Sequence, residues 1–480
     1  MNVLKDLKPK EVFKFFEELT TIPRTSGNEK KVSGYLVDFA RERKLEVYQD
    51  KSLNVIIKKP GSSGYEHSST VIIQGHMDMV GEKGLKTQHD FLKDPLKLHI
   101  EKDFLFATNT TLGGDDGIGV AFGLALLDSK EIPHPPVELV ITTNEETGMF
   151  GASDLKAEHL SGKTLLNIDG EEEGVFYVSC AGGLTAYVTF NPSFVPLTGK
   201  GLGISVTGLK GGHSGLEIIK QRGNALKLLG RVLNRLNAEL KIRLVTIKGG
   251  AAHNAIPREA YATISVSEKK YPRALEILQE MEVTFKSEFK MEDKGVKVEG
   301  AAAGADRMMS LKDSNNILRY ILTVPDGVQT MSKELPGLVE SSLNLGVIEE
   351  KDGKVQSIHA VRSSVKSLKV EIADRISALG TLTGGEVSVT GSYPEWQYEA
   401  NSKVRPIAIK TYQKLYGKEP QIEAIHAGLE CGLLKEKLPQ TDMISFGPDL
   451  FDVHTYEEHL SISSVERTWE FLKALLVNLK

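Results

Sequence analysis

The sequence of 480 residues contains only two cysteines, Cys180 and Cys431, and no Cys-x-x-Cys pair. This excludes a disulfide framework and a cysteine-rich metal knuckle. No apolar run approaches the ~20 residues of a membrane-spanning helix. Residues 1–23 mix lysine, glutamate and phenylalanine, and they lack the uninterrupted apolar core of a secretory signal. Positive charge is not in excess, since 59 basic residues against 64 acidic residues leave a net charge of −5.

These absences indicate a soluble, acidic, cytoplasmic protein with no membrane partner and no nucleic-acid partner. The composition, with 40% hydrophobic and 26% charged residues, is typical of a globular chain. It excludes disorder as the main state. At roughly 150 residues per domain, the length corresponds to about three domain equivalents.

The first third of the chain alternates helix and strand. Apolar spacing predicts helices over Lys10–Thr20 and Gly27–Lys44. Three β-branched runs then end on polar residues, and these predicted strands are Ser69–Gln74, Val137–Thr143 and Thr164–Ile168. The alternation resumes after Lys403 and finishes in the amphipathic helix Ser463–Leu479. This order is typical of an α/β layer built on a mostly parallel central sheet.

An insert with a different pattern interrupts this domain. From Gly201 to Ala301 the order reads strand, helix, strand, strand, helix, strand, which is typical of a ferredoxin-like split βαβ unit. From Ser314 to Thr390 most of that order repeats without a clear first strand, and we interpret the repeat as a duplication. We therefore predict a catalytic domain of residues 1–184 and 397–480, interrupted by an α+β lid domain of residues 185–396.

Polar clusters follow the predicted strand ends, where open parallel sheets bind their ligands. The candidates at these ends and at the neighbouring helix start are His76, Asp78, Asp115, Glu145, Glu146 and Asp169. His454 lies in the loop after the predicted strand Met443–Phe446. Imidazole with carboxylate and no thiolate suits a hydrolytic zinc or manganese site. Because these positions exceed the three ligands of one catalytic metal, they suit two metals that share a bridging carboxylate.

Each cluster also has a purely structural interpretation. The two aspartates of Gly114–Gly117 can cap the following helix, the pair Glu145-Glu146 can be solvated, and Asp169-Gly170 can form an acidic turn. All of these interpretations would have to hold together at four consecutive junctions of one domain, which favours a functional site. Nucleotide binding has little support, because Ala157 stands where the first glycine of a P-loop ending at Ser161–Thr164 would be.

The polar strings carry a family resemblance. Four of these segments resemble motifs of the di-zinc peptidase superfamily that contains carnosinases and acylases. They are Gly75–Asp78, Gly114–Gly119, Thr143–Gly148 and Asn167–Asp169. Within that superfamily the chain is most similar to the bacterial aminoacyl-histidine dipeptidases, also called Xaa-His dipeptidases or peptidase D. The likeness covers nearly the full length and includes Gly211–Gly215 and Arg222–Ala225. It implies a zinc-peptidase catalytic domain with a large lid.

The resemblance implies a centre of two zinc ions, for which cobalt or manganese can substitute. The implied ligands are His76 and Asp169 at one ion, Glu146 and His454 at the other, and Asp115 as the bridge. His459 and His426 remain rivals for the position given to His454.

Two further residues of this domain have implied roles in the reaction. Asp78 would orient and polarise the imidazole of His76. Glu145 would be the general base, which takes a proton from the bridging water and passes it to the leaving amine. Relatives also carry a cis peptide bond after the bridging aspartate, so we expect the Asp115–Asp116 bond to be cis.

The lid would supply substrate-binding residues. His213 resembles a histidine that stabilises the tetrahedral oxyanion. Asn254 and Arg362 resemble residues that hold the C-terminal carboxylate, a geometry that suits an arginine fork. Gly428 would make a backbone contact near the site. The structural alternatives are a turn histidine, a turn asparagine and a solvated strand arginine.

We therefore predict a metallopeptidase that hydrolyses dipeptides, preferably Xaa-His substrates such as carnosine. Another di-zinc exopeptidase or an N-acyl-amino-acid deacylase of the same superfamily is the nearest alternative. A non-catalytic zinc-binding module is the alternative from a different class, and it would be expected to lose Glu145 or Asp78. Relatives with large lids dimerise through them, so the resemblance also implies a homodimer.

Overall fold

The computed structural model describes residues 3–480, which form two compact units. The first unit comprises the chain up to Ser179, together with Tyr398–Ala424 and Leu429–Lys480. The second comprises Cys180–Gln397 and Ile425–Gly428. Among the described residues, no helix is both long enough and apolar enough to cross a membrane.

The elements up to Cys180 alternate between helix and strand. In chain order they are α1 (Lys10–Thr20), α2 (Lys30–Glu42), β1 (Glu46–Gln49), β2 (Val55–Lys59), β3 (Val71–His76), β4 (Leu98–Glu101), β5 (Phe104–Ala107), α3 (Gly114–Asp128), β6 (Val137–Thr142), α4 (Phe150–Asp154), β7 (Thr164–Asn167) and β8 (Val175–Cys180).

The next segment is richer in long antiparallel strands. Its elements are β9 (Gly182–Phe190), β10 (Phe194–Pro196), β11 (Lys200–Thr207), β12 (Gly212–His213), α5 (Ala225–Leu240), β13 (Arg243–Gly249), β14 (Ala255–Ile256), β15 (Ala260–Val266), α6 (Tyr271–Glu288), β16 (Lys297–Ala302), β17 (Arg307–Met309), α7 (Leu311–Thr323), β18 (Gly327–Met331), β19 (Val339–Lys351), β20 (Lys354–Ser363), α8 (Lys366–Leu382) and β21 (Glu386–Tyr393).

The last segment returns to the alternation of the first. Its elements are α9 (Val404–Tyr416), β22 (Gln421–Ile425), α10 (Glu430–Lys437), β23 (Asp442–Ser445), β24 (Leu450–Phe451), β25 (His459–Ser461) and α11 (Ile462–Asn478).

The first unit is built on an eight-stranded sheet in the order β1-β2-β6-β3-β7-β23-β8-β22. The central strands β6, β3, β7 and β23 are parallel, whereas β1 and β2 pair antiparallel at one side, so the sheet is mixed around a parallel centre. Every residue of β3 and β6 is buried. This is expected for parallel strands with both faces covered, and it explains why they read as continuous apolar runs.

Helices cover this sheet with apolar faces. In α1 the buried positions follow helical spacing and include Phe13, Phe16 and Leu19. Phe122 of α3 stacks on Trp469 of α11, with ring centroids 5.7 Å apart. The predicted start of α2 at Gly27 is wrong. Gly27 has a φ of +84°, which is incompatible with a right-handed helix, and α2 begins at Lys30.

The second unit contains a nine-stranded sheet in which the two predicted ferredoxin-like halves lie side by side. The first half has the order β16-β11-β15-β13, and the second has β19-β20-β9-β21. The halves join where β13 pairs with β19. Residues 314–390 supply no first strand for the second half. That strand is β9, which precedes the whole first half in the chain and pairs with β20 and β21. One half is therefore inserted into the other, after its first strand.

Candidate metal centre and active site

The central parallel strands of the first unit deliver polar side chains to one edge of the sheet. Strand β3 ends at His76, and β7 ends two residues before Asp169. Strand β6 ends shortly before Glu145 and Glu146, and the turn between β24 and β25, which follow β23 in the chain, carries His454. Because these strands run in the same direction, their carboxyl ends meet in one crevice.

The carboxylate of Asp115 lies between two histidines. Its Oδ1 is 2.9 Å from His76 Nε2, and its Oδ2 is 3.0 Å from His454 Nε2. Asp169 Oδ1 is 3.5 Å from the same His76 nitrogen. Glu146 Oε2 is 3.0 Å from the same His454 nitrogen. The arrangement thus consists of two histidine–carboxylate pairs with Asp115 directed at both.

His454 is the histidine that reaches this cluster, whereas its two rivals have other surroundings. His459 stacks on Phe106 and Phe451, and His426 lies in the second unit, where its Nε2 is 2.7 Å from Ser342 Oγ. The peptide bond between Asp115 and Asp116 is cis, as the family resemblance implies.

Asp78 lies behind His76 and contacts both neighbouring segments. Its Oδ1 is 3.4 Å from His76 Nδ1 and accepts a hydrogen bond from the backbone N–H of Glu145 at 3.1 Å. Its Oδ2 accepts from Ser26 Oγ at 2.7 Å and from the N–H of Glu146 at 3.3 Å. Burial opposes ionisation, but the imidazole of His76 and these donors outweigh it and lower the pKa of Asp78. The carboxylate is therefore in contact with the histidine ring and with the backbone of both glutamates.

Negative charge dominates the electrostatics of the centre. Burial raises the pKa of Glu145 well above its usual value, and burial raises the pKa of Asp169 to about 6. Hydrogen bonds to Asp115 and Glu146 raise the pKa of His454 to about 11. Nearby carboxylates contribute to all three shifts, since they disfavour ionisation of Glu145 and Asp169 and favour the charged form of His454. A bound cation would relieve their mutual repulsion.

The residues present fit a metal ion. Single ligand atoms of His76, Asp115 and Glu146 all lie within 4.8 Å of one another. Glu146 Oε1 is buried and has no hydrogen-bond partner among the described residues. The donor set contains imidazole and carboxylate without thiolate, which suits zinc or manganese.

Sequence reasoning missed several buried residues that hold the centre in place. Arg24 Nη1 donates to the carbonyls of Met77 and Asp78 at 2.8 and 3.0 Å. Its Nη2 donates to the carbonyl of Gly113. Glu458, only 3% exposed, accepts hydrogen bonds from backbone N–H groups of the segment that carries Asp115. No motif marks either residue, although Glu458 lies four positions after His454.

A second buried layer lies beneath the candidate metal ligands. Gln74 Nε2 and Thr142 Oγ1 donate to Glu430 Oε2 at 2.6 and 2.7 Å, and Asn167 Nδ2 donates to Gln74 Oε1 at 2.7 Å. Gln74 and Asn167 each precede a candidate ligand by two residues on the same strand face. Burial raises the pKa of Glu430 to about 8. The period of two in these strands could have predicted the layer.

Three of the predicted lid residues lie near one another in the second unit. Arg362 is on β20, and its Nη1 donates to Tyr393 Oη at 3.0 Å while its Nη2 is 3.5 Å from His213 Nε2. Asn254 is next to β14, which pairs with the strand of His213, and its carbonyl accepts from the N–H of Ser214 at 2.9 Å. Burial, followed by the charge of Arg362, lowers the pKa of His213. Arg362 is therefore not a solvated strand arginine.

Gly428 lies in the short segment Ile425–Gly428 of the second unit, two residues after the buried His426. Burial lowers the pKa of His426 to about 3, with the positive charge of Arg362 as the next cause. The carbonyl of His426 lies close to Gly215 in the turn that carries His213, so this segment packs beside the Arg362 cluster.

Comparisons with known proteins identify the family of the chain. Residues 72–478 match the model of peptidase family M20/M25/M40. The chain is 38% identical over 479 residues to the cytosol non-specific dipeptidase of Escherichia coli K12, and the match covers 99% of both chains. The crystal structure of aminoacylhistidine dipeptidase from Vibrio alginolyticus superposes with a TM-score of 0.95 at 38% identity, covering 99% of this chain and 97% of that one.

A tripeptidase from Staphylococcus aureus shares only the fold. Its TM-score is 0.56 at 16% identity, over 98% of this chain and 99% of that one. The resemblance to the aminoacyl-histidine dipeptidases and the predicted fold class are thereby confirmed. The chain belongs to peptidase family M20/M25/M40 and is a metallopeptidase.

Proposed function

We propose that this metallopeptidase hydrolyses dipeptides, with a preference for Xaa-His substrates such as carnosine, at a centre of two zinc ions. The observation that carries the proposal is the carboxylate of Asp115, whose two oxygens face two different histidines at 2.9 and 3.0 Å. A single metal would not require a separate histidine at each oxygen. The names of the E. coli and Vibrio relatives support dipeptides as the substrate class.

Each ion would be held by one histidine–carboxylate pair. His76 and Asp169 would hold the first, Glu146 and His454 the second, and Asp115 both. When bound, the metals would supply Lewis acidity toward the scissile carbonyl and lower the pKa of the attacking water. Asp78 would keep His76 in the tautomer that presents Nε2, since its carboxylate lies on the Nδ1 side of the ring.

Glu145 would move the proton. It lies three residues after the end of β6 at the crevice, and burial raises its pKa. A base whose pKa is raised toward the working pH can accept a proton from water and then deliver it to the leaving amine. Because the backbone N–H of Glu145 donates to Asp78, the residue that orients His76 also positions this base.

The cluster of the second unit would bind the substrate. Arg362 has a guanidinium Nε that is buried and lacks a hydrogen-bond partner in residues 3–480. Its fork would suit the C-terminal carboxylate of a dipeptide, with Asn254 beside it. His213 would stabilise the tetrahedral oxyanion, and Gly428 would offer a backbone contact. We propose that this unit is the lid and that the chain forms a homodimer through it, which light scattering on the purified protein would test.

We also propose a cytoplasmic location, supported by the name of the E. coli relative. One assay tests the substrate class. The zinc-reconstituted enzyme is offered carnosine, other Xaa-His and Xaa-Xaa dipeptides, tripeptides and N-acetyl amino acids, and each product is quantified. Fast release from dipeptides only, with Xaa-His leading, is expected. Faster product release from tripeptides or acyl amino acids would indicate another activity of the superfamily. No product release from any substrate would indicate a binding module.

Metal analysis tests the centre itself. We expect about two equivalents of zinc per chain after reconstitution, and Asp115→Ala should lose most of this metal and all activity. A stoichiometry that stays at one under saturating zinc would contradict the two-metal assignment.

A further inference from the structure

The carboxylate of Glu458 is surrounded by backbone N–H groups of one short segment. Its Oε2 accepts from Leu112 and Gly113 at 2.7 and 2.9 Å, and its Oε1 accepts from Gly114 and Asp115 at 2.7 and 3.3 Å. Each oxygen therefore receives two donors. Four converging N–H groups form a concave anion site, and here a side chain of the same protein fills it.

The location of this contact joins two parts of the metal centre. The segment Leu112–Asp115 ends in the carboxylate that faces both histidines, and Glu458 lies four residues after His454. The last of the four N–H groups belongs to Asp115 itself. A displacement of Glu458 would therefore move both the bridging carboxylate and the loop of a candidate metal ligand.

The opposite side of the segment is also held. Arg24 Nη2 donates to the carbonyl of Gly113, and Arg24 Nη1 reaches the carbonyls of Met77 and Asp78. Gly113 has a φ of +66°, and a Cβ there would lie 2.6 Å from the Arg24 guanidinium. A Cβ on Gly114 would lie 3.3 Å from Glu458 Oε1. The two glycines thus allow the arginine and the glutamate to approach the backbone from both sides.

We infer that Glu458 is a positioning residue, which fixes the Asp115 carboxylate between the two histidines and thereby raises the metal affinity of the centre. The inference rests on the proposed function, because it takes Asp115 as the shared ligand. Glu458 touches neither substrate nor metal in this assignment and acts only through the backbone of residues 112–115.

Glu458→Gln is the variant that tests this role. Glutamine has the same shape, but its amide group replaces one carboxylate oxygen with an N–H donor, so at least two of the four backbone groups lose their acceptor. Glu457→Gln is the matched control, since it makes the same chemical change at the exposed neighbouring residue. Zinc affinity of each variant is measured by competition with a chromophoric chelator, and the visible spectrum of the cobalt form reports the ligand geometry.

We expect Glu458→Gln to bind zinc roughly 10–100-fold more weakly than the wild type, as is typical when an outer partner of a metal ligand is removed. Its cobalt spectrum should change, whereas Glu457→Gln should match the wild type in both measurements. A lower melting temperature of the metal-free variant with unchanged zinc affinity would show a purely structural role and overturn the inference.

Glu458→Asp keeps the charge but is one methylene shorter, so it should fall between the wild type and Glu458→Gln. If Glu458→Gln does not fold, the aspartate variant decides, and wild-type zinc affinity in that variant would overturn the inference. The wild-type titration separates this result from the proposed function. A wild type that binds no metal rejects the metal centre, whereas a two-metal wild type with an unaffected Glu458→Gln rejects only the positioning role.

Discussion

Replacement of Asp78 by asparagine tests whether a residue that does not ligate the metal, but contacts residues that do, contributes to zinc affinity. Asp78 is fully buried and accepts hydrogen bonds from Ser26, from the N–H of Glu145 and from the N–H of Glu146. Its Oδ1 also lies 3.4 Å from His76 Nδ1. Asparagine has nearly the same shape but only one acceptor oxygen. Whichever way the amide is turned, one backbone N–H therefore loses its acceptor.

The magnitude follows from these contacts. A buried donor left without an acceptor costs about 1–3 kcal/mol. If that amount falls on the metal-bound state, zinc affinity drops by roughly 5–150-fold. Loss of the carboxylate behind a ligating histidine typically weakens metal binding by about 10–100-fold, so the two arguments agree. We expect Asp78→Asn to bind zinc 10–100-fold more weakly.

Chelator competition measures the affinity, and Ser26→Ala is the control. That variant removes one part-buried hydroxyl donor from the same carboxylate, where water can take its place, and leaves both backbone N–H groups with their acceptors. Its loss should stay below about tenfold, in line with the ~1 kcal/mol of an ordinary hydrogen bond. Wild-type zinc affinity in Asp78→Asn would refute the orienting role. An equal loss in both variants would show that general disturbance of the loop is sufficient.

The two adjacent glutamates should respond differently to the same substitution. Glu145→Gln should retain zinc and lose roughly 10²–10⁴-fold in turnover, whereas Glu146→Gln should lose zinc. If the two variants behave identically in metal analysis and turnover, the assignment of Glu145 as the base and Glu146 as a metal ligand is wrong. The wild type should hydrolyse an Xaa-His dipeptide faster than its C-terminal amide, and Arg362→Ala should lose most of that preference. An unchanged ratio of the acid and amide rates would show that Arg362 does not bind the C-terminal carboxylate. Burial raises the pKa of Asp326 to about 6, above its unfolded value, so this group favours the fold at low pH and destabilises it as pH rises from about 4 to 6. Ionisation of Asp326 in the folded protein therefore costs about 3 kcal/mol at neutral pH. In chemical unfolding, the free energy of unfolding of Asp326→Asn should exceed that of the wild type at pH 7.5 but not at pH 4. A difference between the two proteins that does not change with pH would refute the raised pKa.

Local pattern alone predicted much of the fold. Helix α1 begins and ends where its apolar spacing indicates, and β6 and β7 lie within one residue of their predicted bounds. These elements are determined by neighbours three or four residues apart in helices and by continuous apolar runs in buried strands. The polar residues at the strand ends were visible for the same reason, because a buried run that stops at His76 or Asp169 marks the edge of a sheet.

The features that depend on contacts between distant segments of the chain could be determined only from the tertiary structure. Strand β9 completes the second ferredoxin-like half by pairing with β20 and β21, more than 160 residues later in the chain, and no local period encodes such a partner. Strand pairing also brought His454, rather than His459, to Asp115. Arg24 and Glu458 reach the segment before Asp115 across separations of 89 and 345 residues. A single buried arginine or glutamate has no sequence signature, because its role comes from backbone groups that only folding brings within hydrogen-bond distance.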